Sequence, residues 1–238
     1  MKGACTKMKI MSFNTQHCMN YITRKIDFEI MAEAIKACDA DIVGLNEMRG
    51  DGVHPEYEAQ VDKLAELTPL KSFFFARAIN FPQGPYGNGL LSRYPIASVE
   101  SIIIPDPDPK KYNGYYETRC LLKAKLENGL CVLVTHFGLN PDEQENAVST
   151  VLEHLEKEKC ILMGDFNMCP DNPLLDPIRS RMKDASSLFT EDLLSFPSDN
   201  PDRKIDYIFV SPDVEIVSAD IPAIVASDHR PHTAEIKL

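Results

Sequence analysis

The feature that most constrains the fold is a recurring pattern in which a short apolar strand runs into a carboxylate, an amide or an imidazole. The apolar run 161–163 leads through Gly164 into Asp165, and the run 42–45 leads into Asn46 and Glu47. The polar residues that follow four such runs are Asn14, Glu47, His136, and Asp165 together with Asn167. Such a pattern favours a sheet with a functional group at the end of each of several strands.

Two further polar groups precede apolar segments instead of following them. Asp206 stands before the run 207–210, and Asp228 and His229 lie shortly before the C-terminal segment. If those last strands run antiparallel to the others, all of these groups gather at one rim of a sheet. Carboxylates, amides and imidazoles converging there would suit a hard divalent cation and a phosphate.

The remaining patterns alternate between helices and strands. Helical spacing of apolar residues predicts helices over 26–38, from near Pro55, and over 141–158, the last with Asn140 as its cap. Asn128-Gly129 predicts a hairpin between strands 117–126 and 130–136. Further strands are predicted at 72–76, 98–104, 160–164, 205–210, 214–219 and 233–238.

This mixture of hairpins and crossovers predicts an α/β (α+β) fold with two mixed sheets packed face to face and helices outside. A chain of 238 residues fits a single domain spanning 1–238. The loops near 80–88, 106–116 and 195–204 are rich in Pro, Gly or Asn and are expected to line a cleft.

Composition narrows the class of protein. No apolar run approaches the roughly 18 residues of a membrane span, and residues 1–7 lack a hydrophobic signal region, so a cytoplasmic location is expected. The seven cysteines, Cys5 among them, include no CxxC pair, which argues against a structural zinc site or a disulfide framework. The net charge of −11 argues for a small or locally gripped phosphate substrate over a long duplex.

Individual residues suggest roles on chemical grounds. Glu47 is a candidate ligand for Mg²⁺ or Mn²⁺, which prefer oxygen donors. Asp165 and Asn167 alternate along an extended segment, so both could face one water and one phosphate oxygen. The structural alternatives are a solvated acid at Glu47 and an Asx-type turn at 165–167.

The histidines suggest two pairs. Glu117, on the preceding strand, could fix the tautomer of His136. Asp206 could raise the pKa of His229, and an imidazolium is suited to stabilising a phosphorane-like transition state. Without such partners, each histidine would be an ordinary core or surface residue. Motifs for a P-loop nucleotidase or a GxSxG hydrolase are absent from the sequence.

Taken in order, these residues resemble the endonuclease/exonuclease/phosphatase superfamily, whose members are similar in fold to DNase I and exonuclease III. The matching signatures are Asn14, Glu47, 89–96, 117–119, 135–136, 164–167, 205–208 and 227–229. The resemblance covers nearly the whole chain and looks most like a bacterial branch of metal-dependent hydrolases. One departure is Asn46, where family members often carry Gln before the metal-binding Glu.

The resemblance implies a four-layered DNase I-like sandwich and hydrolysis of a phosphoester with Mg²⁺ or Mn²⁺. It implies three groups of site residues: metal ligands Glu47, Asn14 and Asp228; catalytic residues Asp165, Asn167, His229, His136, Asp206 and Glu117; and phosphate contacts Asn167, His136 and His229. It also implies that Arg119 is a buried structural partner.

The favoured activity is a phosphodiesterase acting on a small or single-stranded substrate. A nuclease is the first alternative and would need a basic patch drawn from Arg24, Lys25, Lys110, Lys111, Arg203, Lys204 or Arg230. A phosphomonoesterase on a sugar or inositol phosphate and an inactive binding module are the others. The sequence leaves the oligomeric state open.

Overall fold

Two six-stranded sheets form the centre of the molecule. They are seen in a computed structural model that describes residues 7–238; Cys5 lies outside that range. The first sheet has the order β11 (Glu215–Asp220), β12 (His232–Lys237), β1 (Lys7–Asn14), β2 (Ile42–Arg49), β4 (Gly84–Ser92) and β3 (Ser72–Phe81). The second has the order β5 (Ile96–Ile103), β6 (Cys120–Leu126), β7 (Cys131–His136), β8 (Cys160–Asp165), β10 (Asp206–Val210) and β9 (Lys183–Asp184).

Helices cover the outer faces of both sheets. They are α1 (Phe28–Cys38), α2 (Gln60–Leu67), α3 (Pro141–His154) and the short α4 (Asp176–Arg179), with 3₁₀ turns at Pro173–Leu175 and Ala185–Leu188. Asp27 caps α1 by accepting from the backbone N–H of Ile30. Asn140 and Glu143 form a capping box at the start of α3.

Three apolar clusters hold the layers together. The central cluster lies between the two sheets and includes Ile10, Leu90 and Val134. One outer cluster packs α1 and α2 on the first sheet, and the other packs α3 on the second. The four-layered sandwich predicted from the sequence is therefore confirmed.

Strand direction explains how the polar groups meet. β1 and β2 run parallel, as do β7 and β8, so their carboxyl ends lie together in each sheet. β10 runs antiparallel to β8, which places Asp206 opposite Asp165, and β12 runs antiparallel to β1. These directions are the ones that the sequence analysis required for a shared rim.

Several element boundaries differ from the prediction. α2 begins at Gln60 instead of near Pro55, and α3 ends at His154 instead of 158. The segment 80–88, expected to be a loop, belongs mostly to the β3–β4 hairpin. β6 begins at Cys120, so Glu117 precedes the strand in an irregular segment. The short elements between 173 and 188 have too few residues to show a periodic pattern.

Within the described range, Cys18, Cys38, Cys120, Cys131, Cys160 and Cys169 are free thiols. None of the helices formed by residues 7–238 is both long enough and apolar enough to cross a membrane.

Candidate active site

The predicted site residues meet where the rims of the two sheets face each other. Asn14, at the end of β1, connects the sheets through its side-chain amide. The Nδ2 atom donates to Glu47 Oε1 at 3.2 Å and to Asp165 Oδ2 at 3.0 Å. Its Oδ1 atom accepts from the backbone N–H of Gln16. In this arrangement Asn14 holds two carboxylates in place, and its role as a metal ligand stays a prediction.

Glu47 lies inside β2 and not at its end. The pairing of β2 with β4 is irregular between Leu45 and Met48, and Glu47 adopts a left-handed φ of 61°. This bulge re-directs the strand at the carboxylate. Burial would raise the pKa of Glu47, but the imidazoles of His17 and His136 and the amide of Asn14 lower it well below its ordinary value. Glu47 is therefore ionised at neutral pH.

Asp165 is almost completely buried between the sheets. Its backbone N–H donates to Asn46 Oδ1 at 3.0 Å, and its Oδ1 atom accepts from the N–H of Asn167 at 2.9 Å. Burial raises the pKa of Asp165, the charge of His229 lowers it and that of Asp206 raises it again, with a net value of about 7. A carboxyl with that pKa can accept a proton near neutral pH.

The structure brings Asp206 and His229 together as a buried pair. His229 Nδ1 lies 2.8 Å from Asp206 Oδ2, and His229 Nε2 lies 3.6 Å from Asp165 Oδ2. The ring of Phe196 packs on the imidazole with centroids 4.8 Å apart. Burial lowers the pKa of His229, but the carboxylates of Asp206 and Asp165 outweigh it and raise the pKa to about 10. The imidazole is therefore charged at neutral pH.

The expected direct contact between Glu117 and His136 is wrong, because Arg119 lies between them. Arg119 Nη1 is 2.9 Å from His136 Nδ1, and the same nitrogen is 2.7 Å from Glu117 Oε1. A guanidinium can only donate, so Nδ1 of His136 must accept and the ring proton sits on Nε2. Burial and the charge of Arg119 lower the pKa of His136 well below its ordinary value, so this ring is neutral.

Asn167 lies next to Nε2, the other ring nitrogen of His136. Its Nδ2 atom lies 3.2 Å from His136 Nε2 and donates to the carbonyl of Phe137 at 3.0 Å. Asn167 also has a left-handed φ of 51°. Asn167 and the protonated Nε2 edge of His136 thus lie side by side next to Asp165, as a phosphate-contacting pair would.

Asp228 lies near enough to Glu47 for their charges to interact. Ser227 Oγ donates to Asp228 Oδ1 at 2.9 Å. Burial raises the pKa of Asp228, His229 lowers it and the charge of Glu47 raises it. Two carboxylates that repel each other in this way gain from a shared cation. The place of Asp228 as a metal ligand stays a prediction.

Two site residues, Asn88 and His17, lay beyond the sequence analysis, which noted Asn46 but did not predict its contacts. Asn46 donates to Asn88 Oδ1 of the same sheet at 2.9 Å, and it connects the two sheets by donating to the carbonyl of Thr135 at 2.8 Å. His17 Nδ1 lies 3.4 Å from Glu47 Oε2. Asn46 and Asn88 stand beside the signatures already noted, but His17 follows no strand end and carries no such signal.

The donor atoms fit a divalent cation beside Glu47. Asp165, Asp206 and His229 also form a compact group whose possible ligand atoms lie within 4.8 Å of one another. In that group His229 is charged and hydrogen-bonded to Asp206, so its lone pairs are not free for a metal. The ionised carboxylate of Glu47, with Asp228 nearby, is the better oxygen-rich site for Mg²⁺ or Mn²⁺.

Several cations proposed for a basic patch have other contacts. Lys204 is buried, 5% exposed, and lies over the ring of Tyr207, so it is wrongly assigned to a surface patch. Arg24 lies over the Tyr21 ring and Lys111 is 3.5 Å from Glu145. Arg203 is 2.9 Å from Asp202, and Arg230 donates to the carbonyl of Ser198.

Comparison with known proteins gives a family and a fold. The model of the Endonuclease/Exonuclease/phosphatase family matches residues 11–229. The uncharacterised protein YbhP of Escherichia coli K12 is 26% identical over an alignment 257 positions long, which covers 97% of this chain and 96% of that protein.

Solved structures of this fold cover nearly all of the chain. An endonuclease/exonuclease/phosphatase from Bacteroides vulgatus has a TM-score of 0.75 and 21% identity, covering 98% of this chain and 99% of that one. A mannosyl-6-phosphatase from Bacteroides thetaiotaomicron has a TM-score of 0.75 and 17% identity, covering 96% and 99%.

Proposed function

The chain belongs to the endonuclease/exonuclease/phosphatase family, whose members hydrolyse phosphoesters, and on that premise we propose that it is a phosphodiesterase dependent on Mg²⁺ or Mn²⁺. The observation that carries the proposal is the row of buried groups from Asp206 through His229 to Asp165, joined to Glu47 by the amide of Asn14. This row supports the proposal because Asp165 could act as a base and His229 as a positive charge beside Glu47, a carboxylate suited to a metal.

Each residue has a role that its surroundings support. Asp165, with its pKa raised to about 7, accepts a proton from the attacking water. His229, held positive by Asp206, stabilises the negative charge that develops on the phosphoryl oxygens. Asn167 and His136 hold a phosphate oxygen through their N–H groups.

Glu47 and Asp228 would hold the divalent cation, which supplies Lewis-acid stabilisation of phosphate charge when bound. Arg119 positions His136 in the tautomer that donates from Nε2, and Glu117 holds Arg119. Arg119 is paired with Glu117 and His229 with Asp206, so each of these two cations has a carboxylate partner.

The net charge of the chain favours a diester. At neutral pH a phosphodiester carries one negative charge, whereas a phosphomonoester carries nearly two. A bound divalent cation would offset the charges of Glu47 and Asp228, so the remaining repulsion comes from the rest of the chain, whose net charge is −11. A monoanionic substrate therefore meets less repulsion than a dianionic one.

A phosphomonoesterase is the second candidate. It is favoured by the likeness of this fold to the mannosyl-6-phosphatase from Bacteroides thetaiotaomicron over 96% of this chain. Sugar monoesters are accordingly included in the test.

The experiment compares bis-p-nitrophenyl phosphate, p-nitrophenyl phosphate and mannose 6-phosphate as substrates with Mg²⁺, Mn²⁺ or EDTA. We expect metal-dependent cleavage of the diester, abolished by EDTA and by Glu47→Gln. Faster cleavage of either monoester would move the activity to the second candidate. Equal rates with metal and with EDTA would contradict both.

A further inference from the structure

The chain segment after β1 adopts an uncommon backbone conformation beside Glu47. Gln16, His17 and Cys18 have φ values of 46°, 47° and 60°, so three consecutive non-glycine residues are left-handed. This conformation is unfavourable for L-residues and persists only where surrounding contacts enforce it. The turn formed by residues 16–18 is therefore held in place by the rest of the molecule.

The contacts that enforce the turn connect it to the strand that carries Glu47. The buried side chain of Gln60, at the start of α2, donates from Nε2 to the carbonyl of His17 at 2.8 Å. Its Oε1 atom accepts from the backbone N–H of Arg49 at 2.8 Å. The backbone N–H of Thr15 donates to the carbonyl of Asn46 at 3.3 Å. The buried side-chain amide of Gln60 thus connects the backbone of His17 to β2 and sets the position of His17 relative to Glu47.

The imidazole of His17 lies against the carboxylate without a good hydrogen bond. His17 Nδ1 is 3.4 Å from Glu47 Oε2, which is long for a charge-assisted hydrogen bond. The Nδ1 atom is buried and has no hydrogen-bond partner among the described residues. A buried polar atom without a partner is costly unless a ligand satisfies it.

The separation suits two ligands of one ion. Donor atoms about 2.1 Å from an octahedral cation lie about 3 Å apart on adjacent corners. The distance of 3.4 Å between Nδ1 and Oε2 is close to that spacing. The same distance is too great for the strong, short contact expected if His17 served only to orient Glu47.

We propose that His17 Nδ1 is a nitrogen ligand that shares the catalytic cation with Glu47, and that it shifts the preference of the site from Mg²⁺ towards first-row transition ions such as Mn²⁺. The inference rests on the proposed metal-dependent function. Mg²⁺ takes oxygen ligands, whereas an imidazole nitrogen favours the transition ions. His17 is thereby a specificity-determining residue at the site.

The test uses Mn²⁺ as the probe and His17→Asn as the variant. Among non-glycine residues Asn tolerates the left-handed conformation well. The hydrogen bond from Gln60 goes to the backbone carbonyl of residue 17, so the variant keeps it. Asn also places an amide group near the position of Nδ1. It can replace a hydrogen-bond donor to Glu47 but cannot replace a nitrogen ligand, because an amide binds metals through oxygen.

Pulsed electron paramagnetic resonance of the Mn²⁺-bound protein reports nitrogen coordination without any assay of activity. We expect nitrogen coupling in the wild-type protein, its loss in His17→Asn, and retention in the matched control His154→Asn, since the ring of His154 pairs with the Thr150 carbonyl of its own helix. We also expect His17→Asn to weaken Mn²⁺ binding by about tenfold or more, with a much smaller change for Mg²⁺ in isothermal titration.

Other outcomes separate the two proposals. Nitrogen coupling or a Mn²⁺/Mg²⁺ affinity ratio unchanged in His17→Asn overturns the ligand role of His17 and leaves the proposed function standing. Failure of the wild-type protein to bind either ion overturns the proposed function and this inference with it. Thermal unfolding checks that His17→Asn is folded. If it is not, His17→Gln takes its place, and we expect the same losses for that variant.

Discussion

At the residue scale, two buried basic side chains, Lys204 and His232, contact the backbone of Asp206. Lys204 Nζ donates to the carbonyl of Asp206 at 3.1 Å, and His232 Nδ1 lies 3.3 Å from the same oxygen. His232 is fully buried and its Nε2 atom has no partner among residues 7–238. Burial and the charge of Lys204 lower the pKa of His232 to about 3, although Asp184 and Asp206 oppose the shift.

This arrangement predicts a loss of stability in acid. His232 stays neutral in the folded protein down to about pH 3, whereas in the unfolded chain it binds a proton below about 6.5. The contribution of His232 to the free energy of unfolding is therefore complete above pH 6.5. It falls by about 1.4 kcal/mol per pH unit as the pH decreases from 6.5 towards 3. The raised pKa of Asp165 makes the free energy of unfolding depend on pH in the opposite direction. The contribution of His232 is therefore measured by comparing the wild-type protein with a variant that lacks this histidine.

The variant is His232→Asn, measured by urea unfolding at pH 7.5, 6.0 and 5.0. We expect it to be less stable than the wild-type protein at pH 7.5, with the difference in unfolding free energy shrinking below pH 6.5. A difference that stays constant from pH 7.5 to 5.0 would contradict the assigned pKa of His232.

Residues at strand ends were the most predictable part of the site. The apolar runs before Asn14, His136 and Asp165 mark them in the sequence, and the structure brings all three together. His17 and Arg119 were not predictable in their observed roles. His17 depends on a left-handed turn enforced by the distant Gln60, and Arg119 depends on the orientation of a guanidinium between two other side chains.

At the element scale, the junction between β8 and the catalytic segment depends on one glycine. Gly164 has a φ of 151°, and a Cβ built there would lie 1.8 Å from the carbonyl oxygen of Thr135 on the parallel strand β7. The neighbouring backbone cannot move away without breaking the pairing of β7 with β8. Close contact of these two strands places His136 next to Asp165.

Gly164→Ala is therefore expected to destabilise the protein by about 3 kcal/mol or more through overpacking and strain. The matched control is Gly129→Ala in the hairpin turn, where φ is 85° and no atom beyond the adjacent residues lies within 4 Å of the added Cβ. That variant should cost only the left-handed penalty of about 1–2 kcal/mol. Equal losses for the two variants in chemical denaturation would contradict the close-contact explanation.

The elements themselves were predictable where the pattern was long and regular. The helix over 26–38 and the hairpin at Asn128-Gly129 appear close to their expected positions. The bulge at Glu47 did not follow from the sequence, because the polar pair Asn46 and Glu47 indicated the end of the strand, whereas β2 continues to Arg49. The hairpin of β3 and β4 was shortened in the prediction because its glycines and prolines resemble a loop.

At the scale of the whole molecule, the site belongs to neither sheet alone. Asn14 and Glu47 come from the first sheet, Asp165 from the second, and the amides of Asn14 and Asn46 bond across the gap between them. The two-sheet architecture was predictable from the alternation of elements. The amide contacts between the sheets were not predictable, because they depend on how the two sheets are positioned relative to each other.

The charge of the whole molecule predicts weak dependence on salt. A nuclease that neutralises many phosphates loses about 10³–10⁵ in affinity between 50 and 200 mM salt. With a net charge of −11 and Lys204 buried, we expect any cleavage of single-stranded DNA by this protein to fall by less than about tenfold over that range. A steeper loss, measured as kcat/KM on a labelled oligonucleotide, would instead support a basic nucleic-acid surface.

The central claim is that Asp165 carries the proton of the attacking water while Glu47 holds the cation. The most direct measurement takes kcat for bis-p-nitrophenyl phosphate and the Mn²⁺ dissociation constant on the same samples of wild-type, Asp165→Asn and Asp213→Asn protein. Asp213 is the control because it is exposed and its carboxylate accepts from the backbone N–H of Lys159 and the hydroxyl of Ser211.

We expect Asp165→Asn to lower kcat by about 10²–10⁴-fold while the dissociation constant for Mn²⁺ changes by less than about tenfold, and Asp213→Asn to change neither. Near-normal turnover in Asp165→Asn at saturating Mn²⁺ would contradict the account.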